Sequence, residues 1–76
     1  MQAFILITIR TGAIPKVLKH LQRLDCVKEA TMTFGPYDAV AVVEGDSVHD
    51  IGRIMAEEIQ PIPGVLETLT CLAINS

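Results

Sequence analysis

Seventy-six residues, 8.3 kDa, hold one hydrophobic core and leave no room for a second, so residues 1–76 are expected to form a single domain and a two-domain enzyme is excluded. Half the residues are apolar, 20% are charged and mean hydropathy is +0.43, more apolar surface than a monomer of this size buries, which calls for a partner. The net charge of −3 excludes a chain-wide cationic surface for nucleic-acid backbones; residues 1–38 carry five basic and three acidic side chains and residues 39–76 one and six, so subunits present opposite charge to one another.

The opening Ala3–Ile9 is aliphatic on both parities, the mark of a central strand covered on both faces, and it ends at Thr11-Gly12. From Ile14 the period changes. Ile14, Val17, Leu18, Leu21 and Leu24 recur at helical spacing while Lys16, Lys19, His20 and Arg23 take the other positions, which predicts an amphipathic helix with a basic outer side and Pro15 in its first turn. Two strands follow, Lys28–Phe34 and Tyr37–Glu44, joined by a tight turn at Gly35-Pro36. A second helix starts at Asp46-Ser47, with Asp50 placed to satisfy a free donor, and buries Val48, Ile51, Ile54, Met55 and Ile59 until Pro61 and Pro63 end it. Val65–Ile74 forms the last strand.

The order β-α-β-β-α-β predicts an α+β, ferredoxin-like sandwich with two helices on one face of a four-stranded antiparallel sheet. A sheet with one wet face alternates apolar and polar residues, yet Ala39–Val43 is apolar on both parities, as is the first strand. The bare face is therefore expected to pack against the sheet of a second copy, giving a dimeric α+β barrel.

Catalytic chemistry finds little support. His20 and His49 lie in helical segments, Glu57 and Glu58 are adjacent and diverge on a helix, and the Gly12 and Gly45 loops lack the spacing of a phosphate cradle. Cys26 and Cys71 stand 45 residues apart without a Cys-x-x-Cys pair, so neither a zinc site nor a disulfide framework is expected, and reduced thiols point to the cytoplasm. No apolar run approaches the ~20 residues that span a bilayer. Two features ask for a ligand: the turn Gly35-Pro36-Tyr37-Asp38, with an aromatic and a carboxylate leading into an apolar strand, and Thr68 with Thr70, two hydroxyls sharing a strand face with Leu66, Leu72 and Ile74. Turn formation and strand propensity account for the same residues without a ligand.

The element order, the Gly35-x-Tyr37-Asp38 turn before an alanine-valine strand, and Ile62-Pro63-Gly64-Val65 before a strand with Thr68 and Thr70 resemble the effector-binding (RAM) domain of the Lrp/AsnC transcriptional regulators over nearly the whole chain. Members of that family typically carry an N-terminal helix-turn-helix, and this chain, with Met1 directly before the first strand, resembles the stand-alone form. The resemblance implies a non-enzymatic module without cofactors: sheet-to-sheet dimers assembled into octamer or decamer rings, a free amino acid as effector bound between dimers, and partnership with a longer Lrp/AsnC regulator instead of direct nucleic-acid binding. It also implies a ligand site at Gly35, Tyr37, Asp38, Thr68 and Thr70. An ACT-like amino-acid sensor and a small dimeric α+β enzyme share the topology and stay open at this point.

Overall fold

Alternation along the first strand, β1 (Gln2–Ile9), sends Ala3, Ile5, Ile7 and Ile9 to one face, where all four are buried, and Phe4, Leu6 and Thr8 to the other. The computed structural model describes residues 1–74. Helix α1 (Ile14–Arg23) covers the first face with Val17 and Leu21, and strands β2 (Val27–Met32) and β3 (Ala39–Glu44) follow. Helix α2 (Val48–Ile54) continues into a π-helical turn (Met55–Ile59), and β4 (Val65–Leu72) closes the order. All strand pairs are antiparallel, in the spatial order β2-β3-β1-β4.

The core lies between helices and sheet. Ala39, Ala41 and Val43 of β3 join the inward residues of β1, and Ile51, Ile54, Met55, Ile59 and Ile62 seal it from the helix side. Gly64, at φ +102°, allows the start of β4 to press against the β1–α1 connection: its carbonyl accepts from Arg10 N at 2.7 Å, and a Cβ there would lie 2.7 Å from that of Ala13.

Several expectations are corrected. The sheet is open and is not a barrel: β2 and β4 are opposite edges separated by β3 and β1, and four strands are too few to curl round and pair, since closed barrels of packed side chains use about eight. The β2–β3 connection is wider than a tight turn, because residues 33–38 form a loop closed by Thr33 N–H donating to Asp38 O at 3.0 Å and Thr33 Oγ1 donating to Tyr37 O at 2.8 Å. Gly35 holds φ +139° within it, a value only glycine adopts readily. Val48 is not an inner residue. It is 55% exposed, since it stands at the first helical position beside the solvated cap, one turn before the buried stripe begins at Ile51.

The cap itself forms as expected and more. Ser47 Oγ accepts from Asp50 N at 3.1 Å, Asp50 Oδ2 accepts from Asp46 N at 2.9 Å, and Arg53 reaches Asp50 Oδ1 at 2.9 Å. The Asp46 N–H and the Arg53 guanidinium together hold the Asp50 carboxyl below the usual carboxylate range. The π-helical turn, in which Gln60 N–H donates to Met55 O at 2.9 Å, five residues back, adds one residue to the turn and keeps Ile54, Met55 and Ile59 all buried.

On the bare face, Phe4 opposes Val42, and Leu6 stands between Val40 and Leu69. These five apolar side chains are exposed or half-buried and form one continuous patch across three strands.

Candidate functional site

Asp38 stands where β3 is about to pair with β1. Its N–H donates to Ile7 O at 2.8 Å, and its Oδ2 accepts from Ile9 N at 2.7 Å, so the side chain supplies the acceptor that the departing backbone no longer offers. The loop that ends at Asp38 presents the half-buried Tyr37 at the end of β1. Across β1, the register places Thr8 opposite Glu67 and Leu6 opposite Leu69 on the bare face. The register shifts between Thr8 and Ile9, so that Val65 turns inward against the core and Leu66 stands out, 60% exposed, as the extra residue of a bulge.

Thr68 and Thr70 oppose Ile7 and Ile5 and therefore face the helix side of the edge strand. They share that face with Leu72, as expected, but the bulge removes Leu66 from the stripe, and Ile74 lies beyond the end of β4. There Gln60, directly after the π-helical turn, donates from Nε2 to Thr68 Oγ1 at 3.2 Å. An amide nitrogen is a donor only, so Thr68 spends a lone pair on this bond and keeps its own proton for another acceptor.

Tyr37, Thr8, Leu6, Glu67, Leu69, Thr68 and Gln60 together line a hollow of about 280 Å³ that straddles β4. Of the five residues singled out in the sequence, Tyr37 and Thr68 meet in it, whereas Gly35, Asp38 and Thr70 lie outside its lining. Leu6, Thr8, Gln60, Glu67 and Leu69 were not anticipated: the first four owe their meeting to strand register and to the π-helical turn, neither of which leaves a local signal, and Leu69 follows from pairing with Leu6. The lining combines an apolar floor with hydroxyl donors and one carboxylate, a composition suited to a small ligand that carries both charge and hydrocarbon.

Elsewhere the chemistry is sparse. Among the described residues no group of three or more His, Cys, Asp or Glu side chains could hold a metal, and no helix is long and apolar enough to cross a membrane. Cys26 is half-buried, and burial, reinforced by the nearby Glu58 carboxylate, pushes its thiol up. Cys71 is exposed on the bare face opposite Phe4. Lys16, Lys19, His20 and Arg23 are exposed along α1.

Residues 2–76 match the family model described as the Lrp/AsnC ligand binding domain. Over 57 residues the chain is 32% identical to the HTH-type transcriptional regulator Ptr1 of Methanocaldococcus jannaschii, a stretch that covers 75% of this chain and 38% of that protein; the chain thus spans well under half the length of this curated relative. The crystal structure of TTHA0845 from Thermus thermophilus superposes with a TM-score of 0.92 at 31% identity, covering 99% of this chain and 94% of that one. The transcriptional regulator NMB0573 of Neisseria meningitidis, solved as a complex with L-Met, superposes with a TM-score of 0.87 over 97% of this chain and 49% of that one; at 14% identity the likeness is one of fold.

Proposed function

The chain belongs to the Lrp/AsnC ligand binding domain family, and we propose that it is an effector module that binds a free amino acid in the hollow between Tyr37 and Thr68. Membership makes it a ligand-binding module of regulators and not an enzyme, and separates it from the ACT-like and enzymatic alternatives of the same topology. The observation that carries the reading is the meeting of Tyr37, from the loop before β3, with Thr68 of β4 in one hollow. In this reading the Thr68 hydroxyl, already accepting from Gln60, donates to the ligand carboxylate together with Tyr37 at the open edge of β4, while the Leu6–Leu69 pair forms the floor where the hollow meets the paired sheets. Asp38 and Gly35 hold the loop that presents Tyr37, and Thr70 extends the row of hydroxyls along β4.

The apolar patch of Phe4, Leu6, Val40, Val42 and Leu69 supports pairing of two copies through their bare faces. Dimers join into rings of four or five, with the basic side of α1 available to the acidic second half of a neighbour, and the ligand enters at contacts between dimers. With a net charge of −3 and no chain-wide cationic surface, this domain is read as acting in the cytoplasm through assembly with a DNA-binding Lrp/AsnC regulator, without contacting nucleic acid through its own surface. Isothermal titration with each of the twenty amino acids, run on material characterised by sedimentation, tests this. At least one should bind the assembled protein and stabilise it by about 2.7 kcal/mol at a hundredfold excess over Kd. Thr68→Val should weaken that binding while preserving the fold. Absence of heat and of thermal shift with all twenty overturns the reading.

A further inference from the structure

Charge in the hollow comes from a single residue. Glu67 is the one ionisable carboxylate of the lining; no Lys, Arg or His contributes, and the remaining polar groups are hydroxyls and an amide. Its position is set by the fold, since the bulge that turns Val65 inward fixes Glu67 opposite Thr8 on the bare face, beside the Leu6–Leu69 pair. Asp38, the other carboxylate of this end of the sheet, lies outside the lining with Oδ2 committed to Ile9 N–H at 2.7 Å. Glu67 has no such commitment: it takes part in no hydrogen bond or ion pair with another side chain among the described residues.

We infer that Glu67 is the specificity-determining residue of the hollow, meeting the ammonium of the ligand and selecting amino acids with neutral or cationic side chains over those with acidic ones. The inference rests on the amino-acid reading above and adds to it the charge class of the effector. A ligand of net charge zero or +1 approaches a hollow of charge −1 with attraction or without penalty. An acidic amino acid brings a second carboxylate into a lining that holds no cation to receive it. Even in bulk water, a unit-charge pair at about 4 Å changes affinity roughly fivefold, and the factor grows in a partly dehydrated hollow.

Matched pairs of ligands isolate this effect from shape: L-glutamine against L-glutamate, L-asparagine against L-aspartate, and L-lysine against L-norleucine, titrated into the wild type and into Glu67→Gln alongside whichever of the twenty binds most tightly. In the wild type the amides should exceed their acids by at least about fivefold, and lysine should bind no more weakly than norleucine. Glu67→Gln should weaken neutral and cationic ligands at least about fivefold and shrink the amide-over-acid ratio by a similar factor, with the melting temperature and sedimentation of the free protein unchanged. Equal binding within each pair, or a bound amino acid indifferent to Glu67→Gln, overturns the assignment of Glu67 while leaving the amino-acid reading standing. If no amino acid binds, both fall together.

Discussion

Removing the Asp38 carboxylate should cost stability before it costs binding. Its Oδ2 accepts from Ile9 N at 2.7 Å at the point where β1 separates from β3, and that N–H has no backbone acceptor from β3 there, because the register ends at Ile7 opposite Ala39. A hydrogen bond to a charged acceptor is worth about 1.5–3 kcal/mol, against about 0.5–1.5 kcal/mol for a neutral one. Asp38→Ala should therefore destabilise by about 1.5–3 kcal/mol. At about 4–8 °C per kcal/mol for a domain of this size, its melting temperature should drop by roughly 6–24 °C. Asp38→Asn keeps an oxygen facing Ile9 N–H and should lose about half as much. Differential scanning calorimetry without ligand, with all variants at one protomer concentration because assembly raises the melting temperature by mass action, makes the comparison. An Ala variant that melts within about 2 °C of the wild type, or an Asn variant no better than Ala, would refute the reasoning and leave Asp38 free for another role.

Gly64→Ala combines a strained φ with a Cβ 2.7 Å from Ala13 Cβ and 3.1 Å from Val17 Cγ2, and should lower stability by about 2–5 kcal/mol in urea unfolding; Gly12→Ala, at φ +88° with open space around it, should show only the backbone part, about 1–2 kcal/mol. Leu6→Asp places a carboxylate at the centre of the apolar patch and should dissociate the assembly in sedimentation velocity, after which Cys71 on the same face should react with iodoacetamide far faster than the half-buried Cys26. The depressed Asp50 carboxyl adds stability that is fully present above its ordinary value of 3.8 and is lost as pH falls through the depressed one, so the stability gap between wild type and Asp50→Asn should close in acid, as read by chemical denaturation across that range.

What could be read from residue order was the part governed by local period. The helical spacing of Val17 and Leu21, the Ser47–Asp50 cap and the two-sided apolar strands all emerge from neighbours in sequence, and each appears in the fold. Less legible was whatever depends on pairing between distant segments. Glu67 and Thr8 meet only through the β1–β4 register, and a bulge at Leu66 decides which side chains of β4 face the helices. Gln60 reaches Thr68 because a π-helical turn adds a residue that no propensity marks. The Gly35–Asp38 turn was visible, but its width was not, since that depends on the Thr33 bonds across the loop. Resemblance to a family singled out five candidate residues, and register determined that Tyr37 and Thr68 of these share a hollow while Gly35, Asp38 and Thr70 lie outside it.

A crystal structure of the protein grown with a mixture of the twenty amino acids would test the account most directly, because it reports assembly, site and ligand at once. The account predicts bare faces paired across Phe4, Leu6 and Val42, and density for one amino acid between Tyr37 and Thr68 with its ammonium toward Glu67. Bare faces left open to solvent, or a bound amino acid seated away from this hollow, would contradict it.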